Sequence, residues 1–291
     1  MHPRPHVPVL VDEVVRLLGG RDIVIDATLG AGGHADALLD AGVRKVIGID
    51  RDPAARDTAA GALARFGERI TVLPGRFSEA LAGLVSEGDQ VGGILFDLGV
   101  SSMQLDRPER GFSFRAGGPL DMRMSSEGRT AASIVNETPE EDLAGIIFEL
   151  GEERKSRRIA AAIVRARSRH PIETSDELAR IVAGAVGSRR GAAHPARRTF
   201  QALRLAVNEE LEELRAALPI AAQALADGGR LVVIAYHSLE DRIVKRFLIA
   251  EPSLEILTRK PVRPSAREVS RNPRARSARL RAAERIVEVA A

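Results

Sequence analysis

The sequence predicts an α/β fold: a Rossmann-like, mostly parallel sheet with an antiparallel edge, carrying an inserted all-α domain. Three observations predict it. Short apolar runs alternate with helical patterns through the first hundred residues, which is the rhythm of βα crossover units. A glycine-rich turn follows the first of these runs. After Asp97 the rhythm stops, and about 130 residues pass before the next convincing strand, far more than one crossover needs.

Residues 22–27 (DIVIDA) read as a buried strand, 30–33 as a turn and 35–41 as a helix. Residues 45–49 (KVIGI) form a second strand ending at Asp50, and Pro53 stands at a first helical position of a helix reaching residue 66. Strands follow at 69–73 (RITVL) and 92–98 (GGILFDL). Within the long gap, 140–150, 154–169, 175–186 and 199–218 carry apolar residues at helical spacing. The strand 230–236 (RLVVIAY) follows a Gly-Gly turn, and a helix 239–249 follows it, opened by an S-x-x-D pair at Ser238 and Asp241. Residues 254–258 and 279–287 are expected to pair as antiparallel edge strands around a basic loop. The expected division is 1–109 and 207–291 for the sheet domain and 110–206 for the helical, substrate-recognising insert.

The composition excludes several classes. Of 291 residues, 44% are hydrophobic, ample for a core, yet no apolar run approaches a membrane span. Residues 1–8 lack the apolar stretch of a secretory signal, so a cytoplasmic location and no membrane contact are expected. There is no cysteine, which rules out disulfides and thiolate zinc sites, and no metal site is expected. It also rules out methylation at pyrimidine carbon 5 through a cysteine adduct, so a methylated base would react at a heteroatom. The net charge of +3 is unevenly spread: residues 259–285 hold ten Lys/Arg against two Glu. A basic tail on an acidic body suits a polyanion, nucleic acid being the commonest, although a solvated tail has the same composition.

The turn Asp26-Ala-Thr-Leu-Gly30-Ala-Gly32-Gly33-His34 sits where an open α/β sheet binds ligands, at the carboxyl ends of the strands. Glycines allow close backbone approach, and Asp50 can accept both hydroxyls of a ribose. The loop reads G-x-G-G rather than G-x-G-x-x-G. That favours S-adenosylmethionine, whose amino acid end suits the nearby Asp26, while a nicotinamide dinucleotide or a ligand-free turn remains open on this motif alone.

Further motifs follow in order: Asp97-Leu-Gly-Val-Ser-Ser-Met-Gln104-Leu-Asp106, Glu109-Arg-Gly-Phe-Ser-Phe114, Gly118-Pro-Leu-Asp-Met-Arg-Met124, Gly151-Glu-Glu-Arg154, His194 to Arg204, Asn208-Glu-Glu-Leu211, His237-Ser-Leu-Glu-Asp-Arg-Ile-Val-Lys-Arg-Phe247 and Asn272 to Ser277. Together they closely resemble the bacterial 16S ribosomal RNA (cytosine-N4)-methyltransferase family of the small-subunit methyltransferase H type, over nearly the whole chain. The resemblance implies a class I S-adenosylmethionine-dependent methyltransferase fold. It also implies methylation of the exocyclic N4 of a cytidine in the decoding centre, with 16S rRNA in the small ribosomal subunit as partner. It implies cofactor contacts at Gly32, Gly33, His34, Asp50, Phe77, Asp97 and Gln104. Met103 and Tyr236 depart slightly from the family pattern, Tyr236 standing where phenylalanine is common.

Asp97, or a backbone carbonyl of residues 98–101, is the expected catalytic hydrogen-bond acceptor for the amine. Candidate substrate residues are Phe112, Phe114 and Tyr236 for stacking, Arg197 and Arg198 for phosphates, and His237. Each has a plain structural alternative: core packing for the rings, helix-end solvation for the Arg197-Arg198 and Arg189-Arg190 pairs, and capping near His237 and Ser238. The ring of His34 has a solvated alternative as well. Another RNA or protein substrate, a non-catalytic RNA-binding assembly factor, and a monomer or homodimer all remain compatible with the sequence.

Overall fold

The structure is a computed structural model that describes residues 8–86, 88, 90–114, 117–125, 127–187 and 194–286. Two compact units emerge, one from residues up to Gly99 and from Leu211 onward, the other from Val100 to Glu210.

The first unit opens with α1 (Val11–Leu18) and continues β1 (Ile23–Asp26), α2 (Gly33–Asp40), β2 (Lys45–Asp50), α3 (Pro53–Leu63), β3 (Ile70–Pro74), α4 (Phe77–Ser86) and β4 (Val91–Asp97). Pro53 is where a helix start tolerates it, and the Asp52 carboxylate caps α3 by accepting the N–H of Ala54. The second unit holds α5 (Ser102–Asp106), α6 (Ala131–Glu137), α7 (Glu140–Gly151), α8 (Ser156–Arg167), α9 (Ser175–Val186) and α10 (Arg197–Asn208). The chain then returns through α11 (Glu210–Ala224), β5 (Leu225–Ala235), α12 (Ser238–Ala250), β6 (Leu254–Ile256), α13 (Ala266–Arg271) and β7 (Arg279–Arg285).

The sheet order is β3-β2-β1-β4-β5-β7-β6. The first five strands are parallel, and β7 runs antiparallel to both β5 and β6. Successive residues of each central strand feed opposite layers. Val24, Val46, Leu95 and Val232 pack with Val14, Leu38 and Leu63 of α1–α3. Ile25, Ile47, Phe96 and Val233 pack with Leu81, Leu218 and Val244 of α4, α11 and α12. Burial on both faces explains why these strands read as continuous apolar runs. The carboxyl ends of β1, β2 and β4 each finish on an aspartate: Asp26, Asp50 and Asp97.

Four expectations change. The helical unit is wider than 110–206, because Val100 and Leu105 pack on its core and the buried Asn208 holds the 122–124 segment. Asn208 Oδ1 accepts the N–H of Met124 at 2.9 Å, and its Nδ2 donates to the carbonyl of Met122 at 2.8 Å. The single helix expected over 199–218 is two helices. Glu209, at φ 52°, takes the left-handed conformation that ends α10. The cap of α12 is His237, not Ser238: His237 and Glu240 form the reciprocal capping box, while Asp241 instead accepts from Arg281 at 2.7 Å and Arg279 at 3.3 Å. Finally, the expected antiparallel pairing of 254–258 with 279–287 is found, but β7 is not an edge strand: it is paired on both sides, between β5 and β6. Arg281 is buried, and Arg285 donates to the carbonyl of Ala222 at 2.7 Å. Of the expected strand 279–287, residue 287 lies outside the described residues. Among the described residues, no helix is long and apolar enough to cross a membrane.

Candidate active site

The glycine turn is held by the three aspartates it faces. Asp50 Oδ2 accepts the N–H of Gly30 at 2.8 Å and Oδ1 accepts that of Asp52 at 2.8 Å. Each oxygen keeps a second acceptor direction, enough for two ribose hydroxyls. Burial pushes the Asp50 carboxyl up, against the lowering effect of those two N–H groups. Gly32 has φ +83°, and a Cβ there would lie 2.9 Å from Leu63 Cδ1, so both conformation and space demand glycine. Gly33 begins α2, whose N-terminus favours a carboxylate such as that of an amino acid. The Thr28 hydroxyl oxygen accepts the N–H of Asp97 at 2.6 Å, tying the loop to the end of β4.

Asp26 is fully buried. Its Oδ1 accepts the N–H of Thr28 at 3.2 Å, while Oδ2 has no hydrogen-bond partner. Burial, opposed in part by His34, pushes its carboxyl up to about 6. An orphaned buried carboxylate oxygen is a place for a cation, and the ammonium of S-adenosylmethionine is one. Together with the Asp50 oxygens and the Gly32–Gly33 backbone, Asp26 makes the residues present fit that cofactor. The sequence already matches Asp26 to the amino acid end of the cofactor; its burial and its orphaned oxygen are what the structure adds. The signal for it was a charged residue ending an otherwise apolar strand.

His34 is not a solvated loop residue. Its ring is buried, with Nε2 3.4 Å from Asp97 Oδ2. Burial disfavours the charged ring, but the Asp97 and Asp26 carboxylates outweigh it and hold His34 above its ordinary value. The other Asp97 oxygen, Oδ1, accepts the Tyr236 hydroxyl at 2.8 Å. Burial and the Asp97 charge push the Tyr236 phenol well up, so it stays protonated and remains a donor. Asp97 is thus held through Oδ1 by the Tyr236 hydroxyl, with the His34 ring beside Oδ2. Tyr236 is itself placed by Glu240, a buried acid that accepts the N–H groups of Tyr236 at 2.7 Å and His237 at 3.2 Å. Sequence reading passed over Glu240. Its signal was the H-x-x-E spacing, one residue out of step with the S-x-x-D pair.

The remaining candidates separate. Phe77 opens α4 and meets Phe96 edge-to-face, with ring centroids 5.2 Å apart. His237 acts as a cap, with Nε2 3.0 Å from Glu240 Oε1. In the helical unit, Gln104 Oε1 accepts the N–H of Ser101, and Gln104 N–H donates to Ser101 Oγ. Phe112 is buried in that unit's core, so it offers no platform for a base. Phe114 stacks on His194 at 4.5 Å and packs edge-to-face on Phe200, so one of its faces is already covered. Arg198 donates to the carbonyl of Glu152 at 3.0 Å, while Arg197 is exposed. Arg189 and Arg190 lie outside the described residues.

The chain is similar to known methyltransferases along its length. The model of the MraW methylase family matches residues 3–286. The Ribosomal RNA small subunit methyltransferase H of Methylobacterium sp. (strain 4-46) is 50% identical over 310 residues, covering 98% of this chain and 92% of that protein. The protein of the same name from Nitrobacter hamburgensis is 51% identical over 303 residues, covering 97% and 91%. A solved structure, the N-methyltransferase NodS from Bradyrhizobium japonicum WM9, aligns with a TM-score of 0.45 at 10% identity, covering 95% of this chain and 94% of that one. The chain belongs to the MraW methylase family, whose members are S-adenosylmethionine-dependent methyltransferases.

Proposed function

We propose that this protein methylates the exocyclic N4 of a cytidine in the decoding centre of small-subunit (16S) ribosomal RNA, with S-adenosylmethionine as methyl donor. Family membership and relatives bearing the name Ribosomal RNA small subunit methyltransferase H support the substrate class. The observation that carries the chemistry is the Asp97 carboxylate at the end of β4, held by Tyr236 and beside His34. The lack of any cysteine agrees with a heteroatom target.

Asp26 would hold the ammonium of the cofactor, Gly32 and Gly33 its amino acid end, Asp50 its ribose, and Phe77 its adenine. Gln104 takes the cofactor contact implied by the resemblance. When bound, S-adenosylmethionine supplies a methyl group activated on a positively charged sulfur. The N4 amine of cytosine is a poor nucleophile, because its lone pair is delocalised into the ring. Asp97 accepts an N–H hydrogen bond from that amine, which draws the lone pair out of conjugation, and then takes the proton the nitrogen loses. Tyr236 keeps Oδ1 occupied, so the oxygen nearer His34 is the one that meets the amine. Much of the rate comes from holding the base in line. The exposed Arg263, Arg267, Arg271 and Arg276, between β6 and β7, contact phosphates, with Arg197 as a further contact. A ribosomal substrate places the enzyme in the cytoplasm.

The test is methylation of small subunits or their RNA by the pure protein with labelled donor, followed by nucleoside digestion. N4-methylcytidine as the labelled product is the expected result. Label on another atom, or no transfer, would overturn the reading.

A further inference from the structure

Within the helical unit, residues 154–169 contain seven Lys/Arg and no acid. Two of the seven have internal work. Arg167 donates to the carbonyl of Val135 at 2.7 Å, and Lys155 donates to that of Val186 at 2.8 Å. The other five, Arg154, Arg157, Arg158, Arg165 and Arg169, are exposed, and among the described residues none has a side-chain hydrogen bond or an ion pair.

Helix geometry lines up two of them. Arg158 and Arg165 are seven residues apart on α8, two turns along one face and about 10 Å at 1.5 Å per residue. Arg154 and Arg169 stand in the turns just before and just after the helix. Arg157 flanks the pair. The opposite face of α8 is spent on the unit's core, where Ile159, Ala160 and Ile163 are fully buried.

This arrangement works against the helix. Arg157 and Arg158 stand in its first turn, where the helix dipole favours acids, and the N-cap Lys155 makes no side-chain cap. Ordinary surface solvation would be served as well by mixed charge. The partner that compensates guanidinium groups with no acid among them is an array of anions. Arginine's planar fork matches phosphate oxygens in pairs. A protein partner would call for apolar or aromatic anchors, and the apolar face of α8 is already buried.

We infer that the exposed arginines of α8 and its two flanking turns, Arg154, Arg157, Arg158, Arg165 and Arg169, are a phosphate-backbone grip for the RNA substrate, separate from the arginines between β6 and β7. It rests on the RNA reading above, and it assigns affinity rather than chemistry to this surface.

The test is the triple variant Arg158→Gln, Arg165→Gln, Arg169→Gln, with a matching triple Arg→Lys variant. Binding is titrated against salt on two probes: an RNA duplex of unrelated sequence and small-subunit RNA. The Gln variant is expected to lower the slope of log affinity against log salt by about 2 on both probes, since each phosphate contact contributes about 0.7–0.9. KM for the RNA should rise at least tenfold with kcat and cofactor affinity unchanged, and the Lys variant should restore the slope. The melting temperature should hold or rise, because Arg158→Gln removes a cation from the first turn of α8. An unchanged slope on the duplex would overturn the inference. So would a loss that Lys fails to restore and that comes with a lower melting temperature, which would mean a structural role. Methylation of small-subunit RNA by the wild type is scored separately, so failure of the functional reading leaves the duplex result to judge this surface.

Discussion

The strand-end acids of the sheet unit and the exposed arginines on and beside α8 use charge in opposite ways. Asp26, Asp50 and Asp97 are few, largely buried, and tied to particular donors: Thr28, Gly30 and Tyr236. The five arginines on and beside α8, Arg154, Arg157, Arg158, Arg165 and Arg169, are exposed, and their side chains are unpaired among the described residues. In a low-dielectric setting one charge is strong and its geometry decides what it does; in water one charge is weak and only the sum matters. Single substitutions should therefore be decisive in the first region and nearly silent in the second.

The largest effect is expected at Asp97. Asp97→Asn should cut kcat by about a thousandfold, within the range for losing a positioned acid–base group, while calorimetry finds the donor's affinity changed only a few-fold. An unchanged single-turnover rate would remove Asp97 from the chemistry. Next comes Arg281, the buried partner of Asp241. Arg281→Ala should cost about 2 kcal/mol in a denaturation titration by removing the 2.7 Å charged hydrogen bond and leaving Asp241 only Arg279 at 3.3 Å. Arg267→Gln, from the same basic segment but exposed, should change stability by less than about 0.5 kcal/mol. Equal effects would erase the distinction between buried and exposed charge.

The third effect is on cofactor binding. Free Asp26 titrates at about 6, and the cofactor's ammonium favours its ionised form. Binding below that pH must therefore release a proton. Affinity should fall toward tenfold per unit as pH drops below about 6 and level off above it. Asp26→Asn should weaken binding and flatten this dependence; a slope that persists in the variant would assign it to another group. Fourth, Tyr236→Phe should lower kcat about fivefold with donor affinity unchanged, because Asp97 loses the hydroxyl that orients it. An unchanged kcat would reduce Tyr236 to packing. The smallest effect is expected from any single α8 arginine: Arg165→Gln alone should change RNA affinity by only a few-fold at physiological salt.

Much of the fold was legible. Apolar runs ending in aspartate marked β1, β2 and β4, because parallel strands buried on both faces leave polar residues only at their ends. The break after Asp97 marked the helical unit, since no single crossover needs so many residues. The misreadings have a common cause. The split at Glu209 depends on Asn208 reaching the backbone of Met122 and Met124, a contact between residues over eighty positions apart. The cap at His237 depends on Glu240 being drawn inside. The place of β7 inside the sheet depends on its second pairing, with β5, which no local pattern in 279–287 carries.

By itself the sequence determined the order of strands and helices, the glycine turn with its facing aspartates, and the exclusion of cysteine chemistry. Periodicity, φ freedom and residue inventory are local properties, and they are written along the chain. Only the tertiary structure decided which charges are worth most. It seated β7 between β5 and β6, which consumes Arg279, Arg281 and Arg285. It closed His34 and Tyr236 onto Asp97. It left the five arginines on and beside α8 in water. Burial sets the strength of a charge, and burial is a property of packing between distant segments.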